Sequence, residues 1–180
     1  NLRALAPHLG ARQDWRLVDY VLSLLAAARA ALADWADRAV SAGDGQEGDL
    51  VLTKGDRTIA VRFVQADLAA GLESVLDPAP DCLTAAAFFD LASPGFIRRT
   101  AEAVAARGAA FLTVLTYDGT DDWRPPHPAD AAMSRAFHAH QGGDKGFGPA
   151  AGPRATQALR EAFEAVGYGV ESAPTPWRLG

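Results

Sequence analysis

Cysteine is almost missing from this sequence: among 180 residues there is one, Cys82. An intrachain disulfide is therefore excluded, and a reducing compartment, the cytoplasm, is the expectation. Cys82 lies in the apolar stretch DCLTAAAFF and reads as a buried core thiol. Long apolar runs are also missing. No stretch approaches the roughly 18 residues of a membrane span, and the opening NLRALAPHLG reads as a helix, not as a secretion signal. Positive charge is in deficit: 17 Lys and Arg stand against 22 Asp and Glu, for a net charge of −5. With no basic cluster, that balance argues against nucleic acid and against an anionic membrane surface as partners. Methionine occurs once, at Met133, so the sequence carries no initiator residue. The expectation is a processed or truncated chain, or one with further sequence upstream.

The usual signatures of metal and covalent chemistry are missing too. His127, His138 and His140 are close in sequence, but 138 and 140 do not share a helix face, and no cysteine or acid clearly completes a zinc set. GDKGFG, 143–148, lacks the strand–helix frame and the Lys-Ser/Thr ending of a phosphate-binding loop. No serine occupies a nucleophile elbow, and no Cys–His pairing stands out.

What remains is an ordinary globular composition, 49% apolar and 22% charged, on a chain long enough for one domain with a real core. Leu2, Leu5 and Leu9 recur at helical spacing, and Gly10 is a plausible stop. WRLV, 15–18, reads as a buried strand ending at Asp19. Residues 22–39 read as a helix and 41–49 as a loop. The stretch 50–67 reads as a hairpin around KGDR, its second arm ending at Asp67. A short helix or turn over 68–76 precedes an apolar strand, 82–89, that ends at Asp90. A helix follows over 94–107 with Gly108 behind it, then a strand of parallel type, 109–117, ending at Asp118. After the Pro-rich crossing 119–128 come a helix at 129–140, a Gly-rich loop at 141–153, a helix at 154–166 and a last strand at 168–173. This alternation predicts one α/β domain over 1–180, with a mostly parallel sheet and helices on both faces. Within it, 41–60 reads as a hairpin insertion and 119–153 as a substrate or lid region.

Four predicted strands thus end on an acid. If they are parallel, Asp19, Asp67, Asp90 and Asp118 share the carboxyl edge of the sheet, where nucleotide-like cofactors bind. A carboxylate can accept two hydrogen bonds from a vicinal diol, which suits Asp19 to ribose hydroxyls, and Asp67 can accept from an adenine amino group. The same acids also serve simply to cap helices and punctuate turns.

The series RLVDY, FVQADL, CLTAAAFFDLAS and FLTVLTYDG resembles the class I S-adenosylmethionine-dependent methyltransferases. HQGGDKGFGPAAGP and PTPWRLG look more narrowly like a bacterial methyltransferase-like group of undefined substrates. The resemblance implies a Rossmann-like seven-stranded sheet and S-adenosyl-L-methionine as cofactor. It also implies that the family's first strand and glycine-rich loop belong before Asn1, so the fold is expected to be incomplete at its N-terminus and these 180 residues alone to bind the cofactor poorly or not at all. Carried over, Asp19 matches the ribose-binding acid, Tyr20 lies against adenine, and Asp67 and Leu68 match the adenine-contacting pair. Ala87, Phe88, Phe89 and Asp90 match the segment facing the methionine end and the acceptor.

The expected activity is methyl transfer to a small molecule. Candidates for a catalytic base are Asp90, Tyr117, Asp118 and His140. Candidates for acceptor binding are Trp123, Gln141, Asp144 and Lys145, the last three on a lid running from His138 to Gly148. Trp15, Trp35 and Trp177 read as packing residues. The alternative, from a different class, is a non-catalytic Rossmann-like binding or interaction module. A nicotinamide-dependent oxidoreductase is a weaker third. Oligomeric state is left open.

Overall fold

The computed structural model describes residues 1–42, 49–114 and 116–176, which fall into two compact units, Asn1–Asp77 and Pro78–Gly180. In the first unit a short helix α1 (Leu2–Leu5) and a 3-10 turn (Ala6–His8) lead into β1 (Arg12–Asp19), α2 (Leu22–Trp35), β2 (Arg38–Ala42), β3 (Asp49–Lys54), β4 (Arg57–Gln65) and α3 (Leu68–Val75). The sheet order is β1-β4-β3-β2. β1 lies parallel to β4, with Trp15 opposite Val61 and Leu17 opposite Phe63, whereas β2, β3 and β4 form an antiparallel meander. Alternation places Trp15, Leu17, Leu50, Leu52, Ile59, Val61 and Phe63 on one sheet face, packed with Leu2, Ala6, Leu32 and Trp35. Arg16 lies on the other face and donates to the carbonyls of Val75 (2.8 Å) and Asp77 (2.6 Å), where α3 runs out of intrahelical donors.

The second unit holds β5 (Cys82–Ala86), α4 (Pro94–Ala105), β6 (Ala110–Val114), α5 (Asp130–Gln141) and α6 (Ala155–Ala165), with 3-10 turns at Phe89–Leu91 and Gly152–Arg154. β5 and β6 are a parallel pair, Cys82 opposite Ala110 and Ala86 opposite Val114. Ser93 caps α4, its Oγ accepting from Phe96 N–H at 3.1 Å, and Pro94 takes the first helical position. Phe96, Ile97, Thr100, Ala101 and Val104 then recur at helical spacing and are buried. Phe111 of β6 stacks on Phe163 of α6 at 4.3 Å and meets Phe89 edge-on.

Several expectations from sequence are corrected. The chain is α/β, but no mostly parallel Rossmann-like sheet forms among the described residues: the sheets are one of four strands in mixed directions and one of two parallel strands. The reason is local. KGDR reverses the chain in two residues, with Gly55 at φ +60 in the first central position, and β2 then pairs antiparallel with β3. β2 spans the end of the expected helix over 22–39 and the first two residues of the expected loop over 41–49. Instead Ala36 is extended, Asp37 N–H donates to Thr53 O at 2.9 Å, and long-range pairing overrides helix propensity. The expected loop over 41–49 lies mostly outside the described residues. The strand over 82–89 stops at Ala86, and the one over 109–117 stops at Val114. Asp90 and Asp118 are therefore not strand-terminal residues.

No last strand forms at 168–173 among the described residues. Arg160 takes its backbone and side-chain acceptors instead, donating to Val170 O at 3.1 Å and to Ser172 Oγ at 2.7 Å. Cys82 is exposed at the first position of β5, not a core thiol, although partial desolvation and the neighbouring Asp81 hold its pKa above the usual value. Among the described residues no helix is long and apolar enough to cross a membrane.

Candidate functional site

Helix α5 organises the second unit's polar chemistry. Its start is fixed by a reciprocal arrangement: His127 N–H donates to Asp130 Oδ2 at 2.7 Å, and His127 Nδ1 accepts from Ala129 N–H at 3.1 Å. Asp130 sits in its first turn and His138 and His140 in its last, as the helix dipole favours. Residues 134, 138 and 141 are four and three apart and so share one face. All three make polar contacts along it. Ser134 Oγ donates to Asp121 Oδ2, His138 Nε2 pairs with the Tyr117 hydroxyl, and Gln141 Nε2 donates to Asp90 Oδ2, each at 2.8 Å. The helix thus grips the chain beyond β5 through Asp90 and the chain beyond β6 through Tyr117. On the neighbouring face Met133 and Phe137 are 67% and 50% exposed, and Phe137 meets the Tyr117 ring edge-on at 5.3 Å.

Two features distinguish this end of the β5–β6 pair. Asp90 and Gln141 are only 8% and 4% exposed, and each keeps one buried oxygen, Oδ1 and Oε1, without a donor among the described residues. The hydroxyls of Thr113 and Thr116 are likewise buried without a partner among the described residues. The second feature is Ala87, at φ +51 immediately after β5, a conformation in which a residue with a Cβ is strained. Its N–H donates to Val114 O at 3.1 Å, prolonging the parallel ladder by one bond. Desolvation foremost, then Asp121 and Asp118, hold the Tyr117 phenol above its ordinary pKa. Tyr117 is therefore protonated at neutral pH and able to donate to His138 Nε2.

The segment between α5 and α6 packs down. Phe147 lies against Phe88 and Phe96, with ring centroids 5.2 and 4.7 Å away. Asp144 Oδ1 accepts from the N–H groups of Gly146 and Gly148. Gly148, at φ +82, passes so close to Ser93 that a Cβ would stand 3.3 Å from the serine side chain. Ala151 N–H donates to Ala92 O at 2.8 Å. Of the stretch His138 to Gly148 expected as a lid, His138 to Gln141 are instead the last turn of α5.

In the first unit the carboxyl ends of β1 and β4 lie side by side. Ala66 N–H donates to Asp19 O at 3.1 Å and Gln65 Nε2 to Tyr20 O at 3.1 Å. Asp19 Oδ1 accepts from Val21 N–H at 2.8 Å, and Asp67 Oδ1 caps α3 by accepting from Ala69 N–H at 2.9 Å. In each carboxylate one oxygen is engaged locally. Tyr20 is 68% exposed beside them, and Leu68 is half-buried at the start of α3.

The structure therefore pairs Asp90 with Gln141, two candidates 51 positions apart, and sets Asp19 and Tyr20 beside Asp67. It does not bring His140 to Tyr117. That partner is His138, which the sequence reading passed over; the 134/138/141 spacing was the available signal. Phe89 is buried against Phe111, and Phe88 belongs to the Phe96–Phe147 cluster. Asp118 Oδ1 accepts from Thr120 N–H at 2.9 Å, in a turn of its own. Trp123, Lys145 and His140 are exposed. Trp15 and Trp35 pack on the first unit's core, as expected, and Trp177 lies outside the described residues. Among the described residues no group of three His, Cys, Asp or Glu side chains is arranged to hold a metal ion. No family model, curated protein or solved structure matches the chain.

Proposed function

We infer that this chain works as an S-adenosylmethionine-dependent methyltransferase on a small molecule. The observation that carries the reading is the parallel β1–β4 pair, which sets Asp19 and Asp67 at adjacent carboxyl ends, with the exposed Tyr20 next to Asp19. The residues present fit the adenosyl part of the cofactor. Asp19 retains one carboxylate oxygen for a ribose hydroxyl, Asp67 one for the adenine amino group, and Tyr20 a ring face for the base. When bound, S-adenosylmethionine supplies a methyl group already activated on a sulfonium. The protein's own share is then to align the acceptor and to take up its proton.

A second reading, a binding module without turnover, is favoured by one observation: Asp19 and Asp67 each already have a local task, a turn and a helix cap. Amide NMR of the 180-residue chain separates the two. S-adenosylhomocysteine and adenosine should shift the amides of residues 19–22 and 65–69, and NAD should do so less. Asp19→Ala should weaken binding by about 1.5–3 kcal/mol, the range for a lost hydrogen bond to a charged group. Shifts of unchanged midpoint in that variant would leave Asp19 as a turn residue, and no localised shifts at all would end the methyl-transfer reading.

A further inference from the structure

We propose that the Asp90–Gln141 pair is the receptor for the amino group of a small cationic amine. Two buried acceptors, Asp90 Oδ1 and Gln141 Oε1, belong to the two ends of one 2.8 Å hydrogen bond, and neither has a donor among the described residues. A buried polar atom without a partner is rare enough to call for an occupant. One of the two groups is a carboxylate, and among the described residues no Lys, Arg or His forms an ion pair with it. A buried carboxylate is costly unless a cation accompanies it. Water could supply donors but not charge. A primary ammonium supplies both, with three N–H groups for the two oxygens.

The surroundings limit its size. Gly152, at φ +54, has no side chain, and a Cβ there would stand 3.6 Å from Gln141 Oε1. The segment Gly142–Pro149 has one root at Gln141 and the other at Ala150 and Ala151, the latter tied to Ala92, two residues beyond Asp90. Within this segment Phe147 packs against Phe88 and Phe96. The inference concerns the second unit alone and does not depend on the methyl-transfer reading. Binding itself is readable without the cofactor.

The test is a titration of the 180-residue chain with methylammonium and with ethanolamine, followed through the Gln141 side-chain amide and the backbone amides of Asp90, Ala92 and Gly152. Tetramethylammonium, of like charge but without N–H groups, ethanol and acetate are the controls. Saturable shifts with the two primary amines alone, weakened tenfold or more in Asp90→Asn and in Gln141→Leu, are the expected result. Equal shifts with tetramethylammonium would reduce the effect to ionic strength. No shift with any amine would mean that the pair holds water, and either outcome overturns the proposal. The wild-type titration decides alone if a variant does not fold. Failure here with S-adenosylhomocysteine still shifting residues 19–22 would remove the amine and keep the methyltransferase.

Discussion

At the scale of single residues, two titrating groups give opposite signatures. Asp37 accepts from Gly55 N–H and from Lys54 Nζ, each at 2.8 Å, and these bonds, the Gly55 one foremost, hold its pKa below the ordinary 3.8. Its contribution to stability is present above that value and is lost as pH falls through the lower folded-state value. Urea midpoints of the wild type and of Asp37→Asn, read by tryptophan fluorescence, should therefore differ at neutral pH and converge between about pH 5 and about pH 2. Tyr117 runs the other way. Its folded-state pKa is raised, so its contribution is complete below the unfolded value of 10.0 and declines as pH rises through the folded one. The difference in phenolate absorbance between wild type and Tyr117→Phe should show a midpoint above 10.0. The same variant should cost about 0.5–1.5 kcal/mol for the hydrogen bond to His138.

At the scale of elements, the packed segment after α5 invites a direct measurement. Phe147→Ala removes two edge-to-face contacts and a half-buried ring, so it should cost about 1–3 kcal/mol in urea denaturation and speed exchange of the Gly146 and Gly148 amides. Ile97→Ala, at a fully buried position of α4, should cost about 2–5 kcal/mol without that local effect. Elements were legible where local signals agreed. Pro94 opened α4 and Gly108 followed it, and KGDR turned the hairpin between two β-rich runs. They were not legible where a distant partner decides. Nothing within residues 36–42 says that Thr53 will claim Asp37 and turn a helix end into β2. Nothing within 168–173 says that Arg160 will take the acceptors a strand would need. The site divides in the same way. Asp19 and Asp67 could be found from strand ends, and Asp90 with Gln141 were both named, but only the fold reveals that they hold each other.

At the scale of the whole molecule, Asn1–Asp77 carries a core of its own, from Leu2 and Ala6 through Leu32 to Leu50, Leu52, Ile59 and Val61. Expressed alone, those residues should give a dispersed amide spectrum that retains the β1–β4 register; a collapsed spectrum would show that this core cannot support itself at that size. The strand order has a further consequence, written in time. β4 and β3 have a strand on each side, whereas among the described residues β1 is bonded only to β4. Transferred to heavy water, β4 should keep its protons between Thr58 and Val61, where β1 lies on one side and β3 on the other. β1 should lose every other one at once and hold the rest, a comb of fast and slow amides. That comb also marks an edge, so raising the protein concentration should slow its fast teeth, if one β1 ever finds another.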